Sequence, residues 1–125
     1  MKKKISVQSA KAKGRRLQNW MAEKISVLLG IPCGKDELIQ GREMGQSGVD
    51  VKLIGEARKR FPYSVECKAQ ESWSVHSWIK QAKENTMKDT DWLLVCKRSR
   101  EKPVIVMDAE TFFKLFFYAN EDYHK

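Results

Sequence analysis

The sequence predicts one α/β domain in which a mixed β-sheet is flanked by helices on both faces. Three observations support this prediction. The chain has 125 residues, which is enough for one hydrophobic core but not for two. Apolar residues follow helical spacing in some stretches and form short alternating or continuous runs in others. We therefore expect the order helix, strand, strand, strand, helix, strand, strand, helix. The third of these strands is either a full strand or the edge of a hairpin.

The first helix is predicted between about Gly14 and Leu29, because its apolar residues recur at helical spacing. The sequence Gly-Ile-Pro at residues 30–32 then ends it. Residues 1–13 are predicted to form a flexible basic arm, and residues 14–125 the single domain. The start of the chain is strongly basic, since every charged residue before Glu23 is positive. These residues are Lys2, Lys3, Lys4, Lys11, Lys13, Arg15 and Arg16.

The region before the first acidic motif is less regular. Residues 33–46 contain glycines among charged residues, which predicts an irregular connection with one short helical turn around Asp36 to Ile39. Residues 47–54 alternate between apolar and polar side chains and predict a strand. Residues 55–60 begin with a glycine and are otherwise mostly charged, so we predict a hairpin tip between two strands.

The stretch from residue 61 to residue 69 predicts the next strand. Its period of two places Val65 and Cys67 on one face, and Glu66 and Lys68 on the other. A helix is predicted to follow from about residue 74 to residue 87, with a serine at its N-terminal cap.

Two near-continuous apolar runs follow, at residues 91–97 and 103–108, and both predict central strands covered on two sides. A last helix begins at about Asp108 and is apolar almost all round. One side of this helix can cover the sheet, and we expect the other side to contact a second subunit. The aromatic residues concerned are Phe112, Phe113, Phe116, Phe117 and Tyr118.

Charge and composition narrow the functional classes. The net charge is +8, and the basic N-terminal region is suited to a polyanion such as nucleic acid. No apolar run is long enough to span a membrane and no signal peptide is evident, so we expect a cytoplasmic protein without a membrane partner. Cys33, Cys67 and Cys96 are scattered and odd in number. This pattern predicts reduced, packed thiols rather than disulfides or a zinc site.

Three residues in two adjacent strands combine into a candidate site. Asp50 falls on the side of its strand opposite to the apolar residues, so it can lie beside Glu66 and Lys68. Two carboxylates on rigid backbone suit a hard cation such as Mg²⁺, and a nearby lysine can assist an attacking water or stabilise negative charge on a phosphate. The alternative is an exposed strand face that carries ordinary solvent charges.

The order of these residues resembles the PD-(D/E)XK nuclease superfamily. Asp50 matches the first acid and Glu66-Cys67-Lys68 matches the E-x-K element, while Val49 stands where the superfamily name has proline. The resemblance covers residues 14–108 and implies a restriction-endonuclease-like αβββαβ core. It also implies an Mg²⁺-dependent endodeoxyribonuclease, in which Mn²⁺ can replace Mg²⁺. Asp50 and Glu66 would hold the metal, the Cys67 carbonyl would add a ligand, and Lys68 would assist the attacking water.

Within this superfamily the chain is most similar to Holliday junction resolvases, by its small size and basic charge. Arg42 and Ser47 occupy places comparable to an arginine and a serine that precede the first acid in the archaeal-type resolvases. The first helix of related resolvases supplies an acid, for which Glu23 is the candidate. Helical counting, however, puts Glu23 about 150° from the centre of the apolar face. Glu43 is a further carboxylate that could replace it.

The remaining predicted DNA contacts come from three regions. Gln81 or Lys80 of the second helix could lie beside the site, as a glutamine or basic residue does in many superfamily members. Arg15 and Arg16 belong to the basic N-terminal region. The hairpin tip would place its three consecutive cations next to the site, where they either hold the DNA backbone or remain solvated. These cations are Arg58, Lys59 and Arg60.

The predicted substrate is branched or duplex DNA, in the cytoplasm of a bacterial, archaeal or phage-infected host cell. We also predict a homodimer, because one site that cuts one strand cannot resolve a junction in a coordinated way. Two alternatives stay open. One is a catalytically silent DNA-binding or assembly module with the nuclease fold, and the other is a different PD-(D/E)XK DNase of the restriction or exonuclease type.

Overall fold

The computed structural model describes residues 7–41 and 48–123 of the chain. They form a five-stranded mixed sheet with helices packed on both faces, as the sequence predicts. No helix within these two segments is both long and apolar enough to cross a membrane. In chain order the elements are α1 (Val7–Leu29), β1 (Ile39–Gly41), β2 (Val51–Leu53), α2 (Glu56–Arg60), β3 (Tyr63–Ala69), α3 (Val75–Glu84), β4 (Asp91–Lys97), β5 (Val104–Val106) and α4 (Ala109–Tyr123).

The strands lie in sequence order, with β3 at the centre of the sheet. β1 pairs antiparallel with β2, β2 with β3, and β4 with β5. β3 and β4 are parallel and stay paired along their whole lengths, from Tyr63 opposite Asp91 to Ala69 opposite Lys97. A parallel pair needs a crossover connection, and α3 supplies it.

The core has two layers, one on each face of the sheet. On one face α1 packs with Leu17, Met21 and Ile25 against a cluster that includes Val65 and Val95. On the other face, Trp78 of α3 packs on Leu94 and Cys96. Successive residues of β4 therefore enter different layers. This explains why its sequence is continuously apolar, and it confirms the prediction of a doubly covered strand.

Residues 103–108 were predicted to form a second central strand, and the predicted central position is wrong. β5 pairs with β4 and forms an edge of the sheet, and its Val104 and Ile105 side chains are 44% and 54% exposed. A continuous apolar run indicates a strand, but it does not show whether the strand has a second neighbour.

The first helix begins earlier than the sequence predicts. α1 starts at Val7 rather than at about Gly14, so residues 7–13 of the predicted arm are helical. Ala10, Lys11, Ala12 and Lys13 all have high helix propensity, and this preference is sufficient to extend the helix without an apolar face. Residues 1–6 lie outside the described chain.

Two further local predictions are wrong. The helical turn expected around residues 36–39 does not extend to Ile39. Ile39 is fully buried and begins β1, where it pairs with Leu53. The hairpin tip expected at residues 55–60 is instead the short helix α2, in which Ala57 is fully buried. In both places one buried apolar side chain stands among polar residues, and this weak pattern determines the local structure.

The early start of α1 gives a testable prediction. Gly14 lies in the helix interior, and a β-carbon there would meet no atom within 4 Å. Gly14→Ala should therefore raise the free energy of unfolding by about 0.5–1 kcal/mol, measured by urea denaturation. Ala12→Gly should lower it by a similar amount. If neither substitution changes the stability, the segment before Leu17 is not part of a stable helix.

Candidate active site

Asp50 is held beside the central strand by two hydrogen bonds. Its backbone N–H donates to the Val65 carbonyl at 2.8 Å, and its carboxylate Oδ2 accepts the Cys67 N–H at 2.7 Å. The side chain is almost completely buried, at 2% exposure. The Asp50 carboxylate is therefore fixed in position by the backbone of β3, and this rigidity is suited to a ligand of a metal ion.

Glu66 lies in the middle of β3 and is equally buried, at 2% exposure. Val51 of β2 is the register partner of Val65, so Asp50 and Glu66, the adjacent residues on the two strands, lie opposite each other. The Glu66 Oε2 accepts a hydrogen bond from Asn85 Nδ2 at 3.3 Å. The two buried carboxylates therefore come from neighbouring segments of the sheet, and each accepts a hydrogen bond from at least one neutral donor.

Lys68 follows on the same face of β3. Val65 and Cys67 are buried in the core layer beneath α1, whereas Glu66 is bonded from the end of α3. The alternation predicted for this strand is therefore observed. Lys68 is half-buried and pairs in register with Cys96 of β4. Burial raises the pKa of the Cys96 thiol and the Lys68 ammonium opposes that rise, so Cys96 is a packed, protonated thiol at neutral pH.

These side chains open into a cleft of about 790 Å³ between α1 and the sheet. Asp50 and Glu66 are its acidic residues, and the rest of its polar lining is cationic or amide. The cations are Lys11, Arg15, Lys35 and Lys68, and the amides are Gln18, Asn19, Gln40, Gln70 and Gln81. A buried acidic pair surrounded by positive charge is suited to an anionic substrate bound through a cation.

α1 contributes an amide to the acidic pair rather than an acid. Gln18 Nε2 donates to Asp50 Oδ1 at 3.2 Å. Glu23, the predicted helix acid, is exposed and does not line the cleft. It lies five residues after Gln18, which turns it about 140° away around the helix. The expectation that Glu23 joins the site is therefore wrong, and Gln18 was missed because a glutamine beside an apolar stripe has no distinctive pattern.

The predicted DNA-binding residues fall into different places. Arg15 and Gln81 line the cleft, and Arg16 lines a neighbouring cavity. Arg42 and Ser47, with the further candidate Glu43, lie outside the described residues.

The three cations of α2 are not beside the site, contrary to the prediction. Arg60 Nη1 donates to the carbonyl of Leu29, the last residue of α1, at 2.9 Å. The cleft is lined by α1 residues no later than Asn19, so this contact is about 15 Å away along the helix. Arg58 donates to the Lys88 carbonyl at the same end of the sheet, and Lys59 lies between them. The segment connects the end of β2 to the start of β3, whereas Asp50 precedes β2 and Lys68 lies near the end of β3, so either a hairpin tip or a helix there lies away from the site.

The donor set determines which metal the site could hold. Within residues 7–41 and 48–123 no three His, Cys, Asp or Glu side chains are grouped to bind a metal, so the site offers the carboxylate pair and backbone oxygens. Mg²⁺ is commonly bound by one or two carboxylates and completes its shell with water and substrate phosphate. The residues present therefore fit Mg²⁺.

Comparison with known protein families gives a match over most of the chain. Residues 9–123 match the model of a family described as "Phage putative PDDEXK endonuclease". The matched region includes every element of the structure from the first turns of α1 to the end of α4. No curated protein and no solved structure gives a significant match.

The acidic pair gives a prediction for the metal-free protein. Two buried carboxylates on facing residues repel each other, so replacing one by its amide should raise the free energy of unfolding by about 1–3 kcal/mol in the presence of a chelator. Glu66→Gln should show this gain in urea denaturation. Asp50→Asn should show less of it, because both Asp50 oxygens accept from N–H donors and an amide replaces one acceptor by a donor. Glu84→Gln, which changes an exposed carboxylate on α3, is the control and should leave the stability unchanged. Loss of stability in both site variants would contradict repulsion between the two groups.

Proposed function

Because the chain belongs to the phage PDDEXK endonuclease family, we propose that it is an Mg²⁺-dependent endodeoxyribonuclease that cuts branched DNA, as a Holliday junction resolvase does. Family membership makes the chain a nuclease of the PD-(D/E)XK superfamily. The proposal of Mg²⁺-dependent cleavage is supported by the buried Asp50 and Glu66, which line an open cleft together with Lys68. The rim of this cleft is basic.

The proposed mechanism assigns a role to each residue of this pair and its surroundings. Asp50 and Glu66 would hold Mg²⁺, with Mn²⁺ as a substitute, and the Cys67 carbonyl would be a further ligand. When bound, the metal polarises the scissile phosphate and makes water a better nucleophile. Gln18 and the Cys67 N–H hold the Asp50 carboxylate in one orientation, and Asn85 holds Glu66.

Lys68 acts on the reacting groups themselves. Its ammonium lies in the same cleft as the two acids, where it can orient the attacking water or stabilise the charge on the phosphate oxygens. The water attacks phosphorus, the bond from phosphorus to one ester oxygen breaks, and that oxygen leaves as a hydroxyl. Lys11, Arg15 and Gln81 on the rim are placed to bind the neighbouring phosphates.

The proposed assembly is a symmetric homodimer that joins through α4 and the adjacent β5 edge. Phe113, Phe116 and Phe117 of α4 are 57–65% exposed, and Ile105 of β5 is 54% exposed. α4 contacts the domain through the buried Thr111 and through an ion pair from Lys114 to Asp91 at 3.2 Å. A second copy of the chain would cover these exposed apolar side chains and relate two sites by a two-fold axis.

A silent DNA-binding module is the second candidate function. It is favoured because α1 presents Gln18 to Asp50 and not the expected helix acid, and an amide adds no charge for a metal. Other DNases of the superfamily, of the restriction or exonuclease type, would use the same acidic pair on different DNA. Metal binding separates the silent module from all of the enzymes.

Metal titration is the first test. Mg²⁺ that binds the folded site should raise the free energy of unfolding by about 1.4 kcal/mol at ten times its dissociation constant. This gain should disappear in Glu66→Gln and persist in the control Glu84→Gln. If millimolar Mg²⁺ and Mn²⁺ stabilise neither protein while DNA binding persists, the silent module is the correct function.

Cleavage of a DNA panel is the second test. We expect four-way junctions to be cut in Mg²⁺ faster than flap, splayed, linear and single-stranded DNA. Glu66→Gln and Lys68→Ala should each lower the rate by about 10²-fold or more, which also excludes a contaminating nuclease. A cut linear duplex beside an uncut junction would contradict the branched-DNA specificity and leave a different DNase as the function.

The dimer is tested separately from the chemistry. Phe116→Lys places a charge on the open face of α4 and should convert the dimer into a monomer in sedimentation velocity at tens of micromolar. Val27→Lys changes an 84% exposed residue on α1 and should leave the dimer intact. A wild-type protein that sediments as a monomer while it cuts junctions symmetrically would contradict the dimer but not the site.

A further inference from the structure

A second cavity lies beside the cleft and shares lining residues with it. Its volume is about 570 Å³, and it lies between the N-terminal half of α1, the connection that follows β3 and the turn that follows β4. Ala10, Ala69 and Gln70 line both spaces. The second cavity is therefore within reach of a chain-like substrate bound at the acidic pair.

The second cavity is strongly positive. Glu71 is the acidic residue in its lining, and it is already engaged by the Lys13 ammonium at 3.6 Å and by the Ser99 N–H at 3.2 Å. The remaining charges attract an anion. The cations of the lining are Lys13, Arg16, Lys97, Arg98 and Arg100.

Further hydrogen bonds among these residues fix the shape of the cavity. Lys13 of α1 donates to Ser99 Oγ at 2.8 Å, and Arg98 Nε donates to the Glu71 carbonyl at 2.8 Å. Together they join α1, the connection after β3 and the turn after β4. A site preformed in this way needs little ordering when a ligand enters.

The wall of the cavity carries an aromatic ring among these charges. Trp20 is 39% exposed, with Leu17 and Pro103 as apolar neighbours in the lining. The Lys24 ammonium lies over one face of its ring, 5.6 Å from the ring centroid, so a base would stack on the other face. An aromatic ring surrounded by cations is the combination by which proteins bind single-stranded nucleic acid, since the ring stacks on a base and the cations hold its phosphates. Bases in a duplex are stacked on each other, so the cavity suits an unpaired nucleotide.

We propose that this second cavity binds an unpaired nucleotide of the DNA strand whose phosphate lies at the acidic pair, with the base on Trp20 and the phosphate on Arg16. The proposal rests on the proposed nuclease function for the identity of the strand. It adds the substrate feature that the cleft alone does not specify, namely a single-stranded segment beside the cut, as occurs at a branch point or a flap.

The test measures binding of a short fluorescent single-stranded DNA to the full chain in the presence of a chelator, by anisotropy. Trp20→Ala should weaken binding by about tenfold, whereas Trp20→Phe, which keeps an aromatic ring, should retain most of the affinity. Arg16→Ala should reduce the salt dependence, with a slope of log affinity against log salt lower by about 0.7. Lys88→Ala removes a charge from the exposed turn before β4, at the far end of the sheet, and is the control.

Several outcomes would overturn the proposal. They are unchanged affinity in Trp20→Ala, an unchanged salt slope in Arg16→Ala, and equal losses in Lys88→Ala and Arg16→Ala. Tighter binding of RNA than of DNA of the same sequence would assign the cavity to a different ligand. Arg16 is exposed, so its variant tests the cavity even if Trp20→Ala fails to fold.

The failure of this proposal is distinguishable from the failure of the proposed function. Normal single-strand binding by Trp20→Ala, together with Mg²⁺-dependent cleavage by the wild type, would remove only the nucleotide site. Weakened single-strand binding by Trp20→Ala, in a protein that cuts no DNA in the panel, would support the nucleotide site and remove the nuclease function.

Discussion

The hydrogen bond from the Cys67 N–H to the Asp50 carboxylate, at 2.7 Å, is the contact on which the candidate site depends. β2 is only three residues long and its register with β3 is recorded at one pair, Val51 with Val65. The side chain of Asp50 therefore extends the connection between the two strands beyond the short ladder. It simultaneously satisfies a backbone donor of the central strand and positions the carboxylate opposite Glu66. The Asp50 carboxylate therefore has a structural role and a place in the candidate site at the same time.

The two ends of the sheet differ in what their charges do. At the cleft end, cations of α1 and of the turn after β4 line open spaces. At the other end, Arg60 donates to the carbonyl of Leu29 at the end of α1, and Arg58 donates to the carbonyl of Lys88 in the loop before β4. A helix carbonyl without an intrahelical partner is a good acceptor for a guanidinium. Net charge alone therefore overstates the surface that is available to a polyanion.

The sequence was sufficient to predict the parts of the fold that have strong periodic patterns. β3 and β4 were predicted because their alternation or continuous burial extends over seven residues, and the placement of Asp50, Glu66 and Lys68 follows from the same alternation. The position of β1 and the existence of α2 were not predicted, because three to five residues with one buried side chain carry no period. Gln18 was missed for a different reason, since its role depends on where α1 crosses the sheet. That crossing is set by tertiary packing of Leu17 and Met21, which helical spacing does not specify.

The parallel pairing of β3 with β4 has a consequence for how the protein acquires its activity. Each pair in this ladder joins residues that are 28 positions apart in the chain, so the ladder forms only after the intervening segment has folded back across the sheet. Contacts between distant residues are slow to form because the entropy of closing the loop is lost first. Glu66 and Lys68 lie on the strand that this step orders. A nascent or partly unfolded chain would then have the residues of the site without their arrangement.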